Sequence, residues 1–192
     1  MNARQSRLRR VLPLSILVLT VSTAAFAQAG AETFSGTASV KAASGAAATS
    51  PVTITVTRKM SQAEADKLLA AFKSGGAAAL HKALAGVPAT GSIQIGSGKP
   101  TTTSLTVERP SDRGRLLTIV TTTPIMFVGG GMANAKPKEG FDFGIVDLVV
   151  DAAGAGTGTM SPAAKVTVRQ GVFVVDEYSG ESVQLTVKKA AK

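Results

Sequence analysis

The stretch "PVTITVTRKMSQAEADKLLAAFKSGGAAALHKALAG", Pro51 to Gly86, changes its hydrophobic period partway through. Val52, Ile54 and Val56 alternate with Thr53, Thr55 and Thr57, the period of a strand with one buried face. From Ser61 the period becomes helical. Ala65, Leu68, Leu69 and Phe72 fall at i, i+3, i+4 and i+7, one apolar stripe. Ser61 and Glu64 form an S-x-x-E capping box, which satisfies free amide donors at a helix start. Gly75 and Gly76 end this first helix. A second, shorter one carries Leu80, Leu84 and Val87 on its apolar side, and Gly86 and Pro88 stop it. The reading is a helical hairpin over 61–86, inserted into a strand-rich chain. Short helices are marginal alone in water, so the stripes predict a cover packed on a sheet.

On either side the signals are those of strands. Before the insert, "ETFSGTASVKA" and "PVTITVTRK" flank the small-residue loop "ASGAAATS" and read as a hairpin. After it come "GSIQIG", "TSLTVER", "GRLLTIVTTT", "FDFGIVDLVVD", "MSPAAKVTVRQ", "GVFVVDEYS" and "SVQLTVKK", separated by glycine, proline and serine clusters. Gly171 after Gln170 reads as a hairpin turn. Closely spaced strands favour antiparallel pairing over repeated βαβ units. The expected fold is one α+β domain, mostly antiparallel sheet of about eight or nine strands. A sandwich and an open, curled barrel both fit, with the helical hairpin between the second and third strands.

The first residues read as an export signal. Arg4, Arg7, Arg9 and Arg10 precede the apolar run "VLPLSILVLTV", and "AFA", Ala25 to Ala27, puts small residues where a signal peptidase cuts. The run is too short to span a bilayer comfortably, which takes about 20 residues. Residues 1–27 are therefore expected to be cleaved, leaving 28–192 as a single exported domain, periplasmic or extracellular, without a transmembrane anchor. Losing four arginines reduces the 21 basic residues to 17 against 12 acidic ones, so the net charge falls from +9 to +5. That charge and "KKAAK", Lys188 to Lys192, imply at most a weak attraction to anionic envelope polymers. Aromatics are 4% of residues, too few to stack bases on, and no nucleic-acid partner is expected. The chain has no cysteine, so an exported form folds without disulfides.

The chemistry-bearing residues are sparse. His81, the only histidine, lies beside the second apolar stripe with no partner motif and reads as a solvated flank. "SPAAK" sets Ser161 four residues before Lys165. A Ser-Lys hydrolase needs the amine within hydrogen-bond reach of the hydroxyl. On a regular strand that spacing puts both on one face, about 13 Å apart, and Pro162 could bulge the strand. Asp142 and Asp147 lie on opposite faces of "FDFGIVDLVV" and cannot pair as acid and base. Asp147 shares the face of Phe143 and Ile145, where a carboxylate capping a backbone amide is the common outcome. "DAAGAGTG", from Asp151, offers one carboxylate where calcium wants six or more oxygens, and reads as a glycine-rich β-turn. "GGG", Gly129 to Gly131, lacks the G-K-[ST] of a phosphate loop. No cofactor or metal is expected. Ser161, Lys165, Asp147 and His81 are the only catalytic candidates, and none has a complete constellation.

One ordered set of residues carries a resemblance. Ser61, Ala63, Glu64, Leu68, Leu69, Lys73, Gly75, Gly76, Leu80, Ala83, Leu84, Pro88, Gly91 and Ile93 come first. Pro124, Ile125, Phe127, Asp151, Gly154, Gly156, Ser161, Lys165, Tyr178, Val183 and Leu185 follow. In order and spacing, from about Val52 to Lys189, the chain resembles an uncharacterised family of exported bacterial proteins, a domain of unknown function. Met60 stands where that family has a tryptophan, and Val128 where it has a second aromatic. The resemblance implies a secreted single domain and no particular chemistry. The leading expectation is a non-catalytic binding or envelope-associated module. The alternative is a hydrolase using a Ser-Lys or carboxylate site.

Overall fold

The computed structural model describes residues 30–41, 47–127, 139–169, 172–178 and 182–191. The export signal, Gly129 to Gly131 and the Gln170–Gly171 turn lie outside them. The described chain forms ten strands and one helical element: β1 (Glu32–Lys41), β2 (Ala47–Val56), α1 (Gln62–Ala85), β3 (Gly91–Ile95), β4 (Thr101–Thr103), β5 (Leu105–Ser111), β6 (Gly114–Thr121), β7 (Phe143–Val150), β8 (Ala155–Arg169), β9 (Val172–Glu177) and β10 (Val183–Lys189). All pairings are antiparallel. The expected α+β architecture is present, with the helical element between the second and third strands.

The strands form one sheet in the order β4-β3-β2-β1-β10-β8-β7-β6-β5, with β9 paired to β8 beyond that path. The two ends of the path are consecutive in the chain and separated only by Ser104. The run 101–111 pairs with β3 before this residue and with β6 after it. The Ser104 amide donates to Val120 O at 2.9 Å, extending the second ladder. One bent run thus belongs to both ends of the sheet, and the sheet curls into a nearly closed barrel rather than a sandwich. Three buried threonines hold this seam. Thr106 Oγ1 donates to Thr90 Oγ1 at 2.9 Å, and the Thr90 hydroxyl lies 2.9 Å from that of Thr103. Buried hydroxyls that satisfy one another stabilise the corner, whereas an unpaired one would cost free energy.

Alternation along each strand sends one set of side chains into the barrel. Phe34, Ile54, Ile93, Leu117, Ile119, Val146, Leu148, Met160 and Leu185 form its core, all nearly inaccessible. Each contributes roughly 1.5–3 kcal/mol by burial. Close strand approach explains two glycines within strands. A Cβ on Gly36 would overlap the backbone of Thr186, and one on Gly158 the carbonyl of Asp147.

The helical stretch begins as read. Ser61 Oγ accepts from the Glu64 amide, and the Ser61 amide donates to Glu64 Oε2 at 2.8 Å, completing the capping box. Gly86 caps the far end. Between them the expected hairpin is instead one element with a kink. Only Gly75 (φ −146°, ψ 16°) and Gly76 (φ 64°, ψ −153°) leave helical geometry, and helix resumes at once. Gly76 occupies a region essentially closed to side-chain-bearing residues. No described helix is long and apolar enough to cross a membrane. Ser61→Ala should cost about 1 kcal/mol by removing one side of the cap, readable as a lower urea midpoint with an unchanged slope.

Candidate functional site

The helix packs on the outside of the barrel wall formed by β5 to β8. Where Leu117 and Ile119 of β6 point inward, Leu116, Thr118 and Val120 point outward. The strand registers arrange the outward side chains in rows. Leu105, Val120 and Ile145 make one row. Val107, Thr118 and Asp147 make the next, and Arg109, Leu116 and Val149 the third. Phe143 lies beyond the first row. An uncovered apolar patch of this kind would invite association. Met60, Leu68, Leu84 and Phe143 bury together over it, with Leu80, Leu105, Val107, Val120, Ile145 and Val166 packed around them. The stripe read from the sequence therefore does cover the sheet.

The cover is incomplete. A cleft of about 630 Å³ lies between the first helical segment and the sheet. Leu68, Leu69 and Phe72 line the helix side, and the three rows apart from Val149 line the sheet side. Val166 and its β9 partner Val175 flank it. The polar groups on its wall are Gln62, Asp66, Arg109, Thr118 and Asp147. On the sheet they occupy only the two rows farther from Phe143. Thr118 Oγ1 donates to Asp147 Oδ1 at 2.6 Å, and Gln62 Nε2 donates to Asp66 Oδ1 at 2.8 Å. Both carboxylates are exposed. Asp147 does share the outer face with Phe143 and Ile145, but it is held by a hydroxyl from the next strand rather than capping an amide.

The other candidates are dispersed. A β-bulge lies where Phe143 pairs with Ala164 but Ile145 with Ser161, so β8 carries one extra residue there, next to Pro162. The extra residue reverses the alternation. Ser161 falls on the outer face with Ile145, and Lys165, paired with Asp176, on the opposite one. The regular-strand expectation that Ser161 and Lys165 share a face is therefore overturned. Ser161 is buried, and its hydroxyl donates to Glu177 Oε1 at 2.5 Å, which also accepts from Ser182. Lys165 is exposed, its stem beside Gly140. His81 is not a solvated flank either. Its ring lies 4.6 Å from that of Phe143, and its Nε2 is buried with no hydrogen-bond partner among the described residues. The second helical segment approaches the outward Phe143 and shields the imidazole. Asp151 closes a turn as read, its Oδ1 accepting from the Ala155 amide.

A second polar assembly ties one end of the barrel together. Glu32 of β1 accepts two bonds from Arg115 of β6, at 2.8 and 3.0 Å, and one from Lys189 of β10 at 2.6 Å. Lys59 stands 3.3 Å from Glu32 and 2.6 Å from Glu108, which also receives Arg115. Burial opposes ionisation of Glu32. The bonds from Arg115 and Lys189 and the charges of Lys59 and Arg115 outweigh it, lowering the carboxyl from 4.5 to about 2. Glu108 is lowered in the same way, and Arg115 is raised chiefly by Glu32. Every charged group of the cluster, three cations and two carboxylates, has a partner within it, so the cluster is a structural clasp. The cleft is the better candidate for binding. No family model, curated protein or solved structure matches this chain, and the cleft is read on its own geometry.

Proposed function

We propose that this is an exported, non-catalytic binding module that holds a small, largely apolar molecule between its helix and the outer wall of its barrel. The observation that carries the reading is the cleft of about 630 Å³, walled mainly by leucine, valine, isoleucine and phenylalanine, with a few polar groups on one side. Small-molecule sites have about this size and this mixture, roughly 300–1,000 Å³ with few polar groups. The dispersal of Ser161, Lys165, Asp147 and His81 favours binding over hydrolysis. Export rests on the signal read in residues 1–27. The net charge of +5 after cleavage would add weak attraction to anionic envelope polymers.

Nile red, a neutral apolar dye, tests the cleft. Its fluorescence should rise saturably with one dye per chain. Val107→Trp or Leu69→Trp, each filling the cleft from one wall, should weaken binding at least tenfold while the melting temperature holds. Non-saturable fluorescence, or undiminished binding by both folded variants, would remove the reading.

A further inference from the structure

We infer that the ligand of this cleft is an amphiphile, its apolar body under α1 and its head a protonated amine bound by Asp147 and Asp66. The inference rests on the cleft being a small-molecule site, and it adds the class of molecule.

The arrangement of rows gives the ligand a direction. The Leu105–Val120–Ile145 row, next to Phe143 and under the helix, presents hydrocarbon only. The following row introduces Thr118 and Asp147, and the third adds Arg109. From the helix side, Asp66 reaches the same cleft. A wholly apolar ligand would press hydrocarbon on Thr118 and two carboxylates. A molecule with one polar end satisfies both parts.

The polar wall also selects the head. Two carboxylates face the cleft against one guanidinium. Thr118 occupies Oδ1 of Asp147 and Gln62 occupies Oδ1 of Asp66. The Oδ2 atoms accept no side-chain hydrogen bond among the described residues. An ammonium group carries three donors and no acceptor, which suits two acceptor oxygens and water. A carboxylate or phosphate head would meet Arg109 alone and be opposed by both acids. A hydroxyl head could donate only once. Charge-assisted bonds are about twice as strong as neutral ones, so the amine should gain the most.

Calorimetric titration of the signal-free chain with dodecylamine, dodecanol and dodecanoate tests this, each below its micelle-forming concentration, at neutral pH and low salt. The amine should bind about tenfold or more tightly than the alcohol, and the carboxylate more weakly than the alcohol. Asp66 and Asp147 are exposed, so Asp66→Asn/Asp147→Asn should fold normally. It should bind the amine no better than the alcohol, because the charge that separates the two heads is gone. Equal binding of amine and alcohol by the native chain would overturn the head-group inference while leaving the cleft as an apolar site. Tightest binding of dodecanoate would overturn it in favour of Arg109. If none of the three binds, or if the cleft is covered by a second copy seen as a concentration-dependent dimer, the cleft reading fails and takes this inference with it.

Discussion

Phe72→Asp is expected to destabilise the protein more than any other single change on the helix, lowering the melting temperature by roughly 10 °C or more. Phe72 is 3% exposed, although it sits on an element that the barrel does not need for its strand ladders. Truncating a buried phenylalanine costs about 3–5 kcal/mol. Aspartate also places a carboxylate against hydrocarbon, where it must be desolvated or protonated. Domains have only about 5–15 kcal/mol to lose. Lys67→Ala, on the exposed face of the same helix, should leave the melting temperature within a degree or two. The rival role for the stripe is a surface that grips another protein. Under that role Phe72→Asp would leave the isolated chain as stable as before, and that result would detach the helix from the fold. The same variant should lose Nile red even where it stays folded, because the side chain lines the cleft.

The parts of this architecture that depend on neighbouring residues were legible in the sequence, and the parts that depend on distant partners were not. The capping box at Ser61 and Glu64, the break at Gly75–Gly76 and the stripe of Leu68 and Phe72 are local patterns, and each is present. The kink differs from the expected hairpin because helix resumes immediately after Gly76. The reading of about eight or nine strands took "TSLTVER" as one strand and did not separate the short β4 from β5. Nothing within "TTTSLTVERP" marks Ser104 as the residue where the partner changes from β3 to β6. The parity of Ser161 and Lys165 failed for a similar reason. Pro162 hinted at a bulge, but only the pairing with β7 fixes its extra residue. His81 looked exposed because Phe143, which shields it, lies far along the chain. The cleft did leave a trace. "GRLLTIV" and "FGIVDLVV" are apolar at consecutive positions, as a strand covered on both faces must be. Nothing was read from that pattern, and the gap between wall and helix depends on how closely a kinked element can approach.

Glu32→Gln is the second large effect expected, and it probes the barrel rather than its cover. In the sheet, β10, β8 and β7 separate β1 from β6, so the bonds between Glu32 and Arg115 join opposite walls across one end of the barrel. The Glu32 side chain is 9% exposed. Glutamine keeps its shape but leaves Arg115 and Lys59 with Glu108 alone and takes the carboxylate from Lys189. Breaking a buried ion pair from one side typically costs about 3–5 kcal/mol. Arg115 keeps some contact with water, so a loss of roughly 3 kcal/mol is expected, seen as a lower urea midpoint at neutral pH. The acid limb gives an independent reading. The Glu32 carboxyl lies near 2 in the folded chain, lowered from 4.5. The unfolded chain therefore takes up this proton first as the solution is acidified. The stabilisation is complete above pH 4.5 and is lost as the pH falls through 2. Wild type should lose stability across that window more steeply than Glu32→Gln, so the two curves converge at low pH. Glu64 is lowered to about 2 by its bonds to Ser61 and Arg58, but it remains in both proteins and cannot produce the difference. Parallel curves from pH 7 to pH 2, or an unchanged midpoint at neutral pH, would mean that the clasp only decorates a barrel held by its hydrocarbon core.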